Sequence, residues 1–189
     1  MTKSEQAVAK PRMKTRDMAF IAMFAVIIAI CSWISIPGPV PFTLQTFAVF
    51  TAVGLLGGKR GTISVLLYLL LGAVGVPVFA GFSGGVSVLL GSTGGYIAGF
   101  LLSALLMWLM EATMGKKTWV LALSMVLGLI VCYFFGTVWF VHVYTRETGP
   151  MGFMAALSAC VIPYIIPDLL KIALSLFLCK RLSGVLKLN

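Results

Sequence analysis

Two charged side chains stand three residues apart in an otherwise apolar run, Ile166-Pro167-Asp168-Leu169-Leu170-Lys171. A carboxylate accepts hydrogen bonds from N–H donors, and an ammonium offers three donors to a carbonyl or carboxylate. On a helix this spacing puts both groups on one face, roughly 5–6 Å apart. At bilayer depth a charged side chain costs from about 3 to over ~10 kcal/mol, so such residues mark functional sites by default. The plainer reading is that Asp168 and Lys171 neutralise one another as a packing device. Gln45, Tyr68, Phe79, Ser83, Ser92, Thr93, Gly94, Gly95, Tyr96 and Tyr164 are the candidates to join them. Their rings would wall an apolar body, and the hydroxyls and Gln45 would complete the polar contacts. Together they suit a small, mostly apolar molecule with polar ends.

Other chemistries find less support. Cys31, Cys132, Cys160 and Cys179 lie within apolar runs without CxxC or His-rich spacing, so they read as buried hydrophobes rather than metal ligands or disulfides. The lone His142 has no second ligand nearby and belongs to the surface. Gly54-Leu55-Leu56-Gly57-Gly58-Lys59-Arg60 has the wrong spacing for a phosphate loop and no Ser or Thr after the lysine, so no ATPase is expected in this chain. The net charge of +9 borders apolar runs, which is topology information and not a nucleic-acid footprint.

The elements that must position these residues are membrane helices. Of 189 residues, 60% are hydrophobic and only 10% charged, whereas soluble domains carry about a quarter charged residues. At roughly 20 apolar residues per crossing, the length allows about five or six helices and no soluble domain. The long first apolar run has no small-residue cleavage site, which argues against a cleaved signal peptide. A basic arm is expected at 1–16 and a single six-helix transmembrane domain at 17–189. The helices are expected near 17–36, 43–56, 62–76, 94–110, 119–141 and from Pro167 to Leu182. Residues 151–162 would form a short lead-in or re-entrant piece, because Pro163 and Pro167 break the last run. Tyr133, Phe134, Phe135, Trp139 and Phe140 suit an interfacial aromatic belt, followed by a polar loop from His142 to Pro150.

Between these helices lie three unusual stretches. Pro37, Pro39 and Pro41 favour an extended, stiff loop. Gly57-Gly58-Lys59-Arg60-Gly61 reads as a tight basic turn. Residues 77–95 are uncharged and glycine-dense, too apolar for a plain solvated linker, and long loops are often functional. N–H groups at Gly94-Gly95, opening the next helix, could hold an anionic group.

With six crossings, twelve of the fourteen basic residues fall on the side of both termini. The positive-inside rule then makes both termini cytoplasmic. The proline loop with Gln45, the glycine loop with Tyr96 and the start of the last helix with Asp168 all face outside. Irregular backbone near membrane depth is tolerated around a protein-lined cavity, so this convergence favours a site over mere charge neutralisation.

Val40-Pro41-Phe42-Thr43-Leu44-Gln45-Thr46, the block from Leu67-Tyr68-Leu69 to Phe79-Ala80-Gly81, Thr93-Gly94-Gly95-Tyr96 and Pro167-Asp168-Leu169-Leu170-Lys171 resemble the BioY family. Those proteins are the biotin-specific S components of energy-coupling factor (ECF) transporters. The likeness covers essentially the whole chain after the basic arm; Ser92 replaces a proline frequent in the family before Thr-Gly-Gly-Tyr. The resemblance implies a multi-pass plasma-membrane subunit that captures biotin with high affinity from outside, without a cofactor. A transmembrane coupling subunit and two ATPase subunits would be its partners. It further implies that the small-residue face of the first helix, Ala22, Ala25 and Ala29, docks on the coupling subunit. Asp168 would accept from a ureido N–H of biotin and Lys171 would meet the ureido carbonyl or the carboxylate.

Three rival readings are weaker. A self-sufficient secondary transporter of a small vitamin-like carboxylate should show ion-coupling carboxylates and internal repeats. An intramembrane enzyme with Asp168 as base needs a second catalytic group on the same side. A channel needs a ring of charges.

Overall fold

The computed structural model describes residues 14–38 and 40–186. The expected basic arm lies outside the described residues up to residue 13, as do Pro39 and Lys187. Helix α1 (Thr15–Trp33) starts two residues before its expected position and stops three residues short. Asp17 stands in its first turn, where the helix dipole favours an anion, and its buried carboxylate accepts from Arg60 at 3.1 Å. Pro37 disfavours helical backbone at the residue before it. The chain instead pairs β1 (Ser35–Ile36) antiparallel with β2 (Phe42–Thr43), so Pro37 and Pro41 lie in the connection of a hairpin.

Helices α2 (Gln45–Leu56) and α3 (Gly58–Ala73) are separated by Gly57 alone, at φ +81°. The expected basic turn at 57–61 is therefore mostly the first turn of α3, and close packing is the reason. A Cβ on Gly58 would stand 2.5 Å from the Trp108 backbone, and one on Gly61 2.4 Å from Val53 Cα. Both glycines let helices meet backbone to backbone. The Glu111 carboxylate accepts the Gly58 N–H and caps α3.

The stretch after α3 carries more order than its glycines suggested. It contains a 3-10 turn (Ala80–Phe82) and the short helix α4 (Val86–Leu90). Phe79 anchors it by lying over Gly72, where a Cβ would come within 2.0 Å of its ring. Helices α5 (Gly94–Met114) and α6 (Thr118–Glu147) then form the most extensive helix pair. Small residues let them approach: Gly95 meets Trp139, Gly99 meets Cys132 and Gly136 meets Tyr96, the usual device where water does not drive packing. Helix α6 continues through the expected loop from His142 and stops before Gly149 and Pro150. His142 is exposed on its surface. Of the expected aromatic belt, Phe134 and Phe135 are exposed, whereas Phe140 is buried.

After α7 (Phe153–Cys160) and a 3-10 turn at Ile162–Tyr164, helix α8 runs Ile165–Leu186. It begins two residues before Pro167, which sits in the first turn where a missing N–H breaks no helical bond. Among the described residues, α1, α5, α6 and Phe153–Gly184 are long and apolar enough to cross a membrane, and α2 is a shorter apolar helix. Among the described residues the protein is all-α apart from the two-residue hairpin strands.

Helix α2 is the axis, packed against α1, α3, α5 and α8. Ala48, Val49, Phe50, Ala52 and Val53 are at most 2% exposed. Large apolar side chains such as Met18, Val26, Ile30, Leu70, Phe134 and Leu170 point outward instead, as lipid contact permits. The expected docking face of α1 needs correction here. Ala25 and Ala29 are 1% and 5% exposed and belong to the core, where small side chains bring α1 close to α2 and α3. Ala22 alone of the three is exposed.

At the α2–α8 contact, a Cβ on Gly54 would stand 2.5 Å from Cys179 Sγ. Gly54→Ala is expected to destabilise the protein by about 1–3 kcal/mol through overpacking. Adding Cys179→Ala should restore most of that loss. Thermal unfolding in detergent reads both, and an unchanged melting temperature for Gly54→Ala would contradict this packing.

Candidate functional site

At the N-terminal end of α2, three segments converge: the β1–β2 hairpin, the stretch after α3 and the start of α8. They enclose a cavity of about 110 Å³. A single water needs roughly 10–15 Å³ of such space, so this is the scale of a small molecule.

Asp168 and Lys171 line this cavity, 4% and 7% exposed respectively. The first two turns of α8 place them on one face, and Lys171 Nζ donates to Asp168 Oδ1 at 2.7 Å. It also donates to the Thr43 carbonyl at 2.6 Å and stands 3.6 Å from the centre of the Phe42 ring. Asp168 Oδ2 accepts from the Tyr133 hydroxyl. A carboxylate has about four acceptor positions, so each oxygen keeps capacity for a further donor.

Of the other candidates, Gln45, Phe79, Ser83, Thr93, Tyr96 and Tyr164 line the same cavity. Gln45 Nε2 donates to the Tyr68 hydroxyl at 2.9 Å, so Tyr68 stands behind the wall and orients Gln45. Tyr68 in turn meets Phe79 edge to face at 5.6 Å. Tyr96 shares a hydrogen bond of 2.9 Å with Thr137. The Ser83 hydroxyl donates to Ala80 within its own turn. Tyr164 stacks on Phe42 at 5.4 Å and donates to the Val40 carbonyl, which seats the hairpin over the cavity.

Ser92, Gly94 and Gly95 are not among the lining residues. Gly94 and Gly95 serve packing, because a Cβ there would meet Leu89 O at 1.8 Å and Trp139 Cβ at 2.2 Å.

The sequence alone places Tyr133 at the membrane interface and gives Phe42 no role, yet both belong to this site. A signal for Tyr133 existed: Gly128, Cys132 and Gly136 form a small-residue stripe at helical spacing, and Tyr133 borders it. Cys132 and Cys160 also line the cavity, beside Ile97, Phe100 and Leu129. The site thus joins an apolar wall to one carboxylate and one ammonium, each already oriented by other groups. That arrangement is chemically matched to a small molecule carrying both N–H donors and a carbonyl or carboxylate.

Comparison with known proteins gives one answer. The model of the BioY family matches residues 3–187. A probable biotin transporter of Pyrococcus horikoshii is 39% identical over 173 residues, covering 91% of this chain and 99% of that one. A biotin transporter of Thermotoga maritima is 41% identical over 169 residues, covering 89% and 96%. The crystal structure of an S component for biotin from an ECF-type ABC transporter superposes with a TM-score of 0.79 at 27% identity, covering 92% of this chain and 95% of that one.

The buried pair makes its own stability prediction. Asp168→Ala leaves Lys171 buried without its carboxylate, which is expected to cost about 3–5 kcal/mol. Asp168→Ala combined with Lys171→Met should recover most of that loss. Chemical unfolding of both variants measures the difference, and equal destabilisation of the two would refute the pairing.

Proposed function

The chain belongs to the BioY family, and we propose that it is the biotin-binding S component of an ECF-type transporter. The observation that carries this is the apolar cavity holding Asp168 and Lys171 side by side. The ureido ring of biotin has two N–H donors and a carbonyl, its thioether ring is apolar, and its valerate ends in a carboxylate. The spare acceptor positions of Asp168 take a ureido N–H. Lys171, already anchored on Thr43, turns its remaining donor capacity to the ureido carbonyl. The bicyclic body lies against Phe79 and the apolar wall, and the valerate extends toward Tyr96 and the glycine-rich stretch.

Family membership supports the wider reading. The protein crosses the plasma membrane six times with both termini in the cytoplasm, and captures biotin from the outer side. A transmembrane coupling subunit and two ATPase subunits supply the energy, since the residues at 54–60 have the wrong spacing for a phosphate loop. The chain is then a transport subunit and not an enzyme. Contact of α1 with the coupling subunit uses the outward face bearing Ala22, because Ala25 and Ala29 are enclosed.

Charge-assisted hydrogen bonds contribute about 1.5–3 kcal/mol each, so Asp168→Asn and Lys171→Ala should each weaken biotin binding by roughly 10–100-fold. Equilibrium binding to the purified protein in detergent measures this, and near-wild-type affinity in both variants would sink the assignment. Uptake should require co-expression of the coupling and ATPase subunits. Full uptake by the chain alone would point instead to a self-sufficient secondary transporter.

A further inference from the structure

The central helix is shorter than the hydrocarbon core of the membrane. Its 12 residues span about 18 Å, against a hydrocarbon core of about 30 Å. Space is therefore left at both of its ends. The Asp168 cavity takes one end, and a second cavity of about 260 Å³ lies at the other, beside Val53–Gly57.

The inner wall of this second cavity is apolar, with Val53, Leu56, Met107 and Val120 all buried. Its rim is basic: Lys116 and Lys117 come from the α5–α6 turn, and Lys180 from the last turns of α8. Glu111 is the acidic side chain on this lining, and it is already engaged. It accepts the Gly58 N–H and pairs with Lys116 at 3.4 Å. Lys117 and Lys180 form no ion pair among the described residues. The rim thus carries two uncompensated positive charges above an apolar pocket. The first turn of α6 lines the same space, and its positive dipole end adds to the same field. Trp119, at this level, is 54% exposed, as an aromatic at a membrane interface would be.

We propose that this cavity binds an anionic phospholipid, its phosphate held between Lys117 and Lys180 and its first acyl carbons against the apolar wall. A soluble phosphate would use the lysines and leave the apolar wall wet. A zwitterionic lipid would bring its own cation to a rim that already has a surplus. The site is separate from the Asp168 cavity and does not depend on what that cavity binds.

The test uses the full chain purified in detergent and incubated with equal amounts of phosphatidylglycerol and phosphatidylcholine, with retained lipid counted by native mass spectrometry. The wild type should retain phosphatidylglycerol in preference. The double variant Lys117→Gln/Lys180→Gln should lose roughly tenfold or more in phosphatidylglycerol affinity, whereas Lys117→Arg/Lys180→Arg should keep the preference. Biotin binding equal to wild type shows that the variants are folded. Equal retention of both lipids, or a double Gln variant that binds phosphatidylglycerol unchanged, overturns the proposal. Displacement of the lipid by millimolar inorganic phosphate or glycerol phosphate also overturns it, because the site would then take a soluble anion.

Discussion

A buried ammonium has three protons to place, and the mouth of this bundle is organised around where Lys171 places them. One goes to the Thr43 carbonyl and one to Asp168, with the Phe42 ring beneath the charge. Asp168 in turn receives Tyr133 from α6. Three parts of the chain far apart in sequence are thereby joined: the hairpin, the last helix and the middle of α6. The hairpin has only two residues in each strand and could not hold its position through its own ladder. The charge network and the Tyr164–Phe42 stack supply that hold. Irregular backbone is tolerated at such depth when the protein itself satisfies it. Consistent with this, no buried side-chain nitrogen or oxygen among the described residues lacks a hydrogen-bond partner.

The second constraint is the length of α2. A longer central helix would fill the bundle, and its 12 residues do not. Toward its C-terminal end its neighbours still approach closely, α8 over Gly54 and α3 through Gly61 against Val53. The fold can offer a ligand cavity without a defect in its core.

What the sequence made legible follows from the same physics. Against a uniformly apolar background, a charge pair, a proline cluster and a glycine-dense stretch stand out, and all three meet at the cavity. Helix faces did not stand out. A helix that is apolar all round carries no hydrophobic period, so hydrophobicity could not say that Tyr133 points inward. Small residues carried that information ambiguously, because close approach works the same way for an internal neighbour and an external partner. The family resemblance points Ala25 and Ala29 at a partner, whereas the fold encloses both in the core. Gly94 and Gly95 at a helix start read as an anion site in sequence, whereas in the fold they are notches for Leu89 and Trp139. Helix ends depended on tertiary bonds invisible in the sequence: Glu111 capping α3 shortened the basic turn to Gly57.

The anchoring of the charge pair favours a ligand-facing role over neutrality alone. A pair kept only for neutrality needs nothing beyond itself, and an apolar pair of similar volume would pack as well or better. Here each partner is also held from outside the pair, Lys171 by Thr43 and Asp168 by Tyr133. Those extra bonds fix the direction of the remaining lone pairs of Asp168 within a cavity that is otherwise apolar. Orientation of unspent acceptors has no value for packing. Its value is for a ligand, since preformed groups need no reorganisation when a donor arrives. The same anchoring also lets the protein carry two charges at this depth by its own means, leaving the ligand to be recognised rather than required for folding.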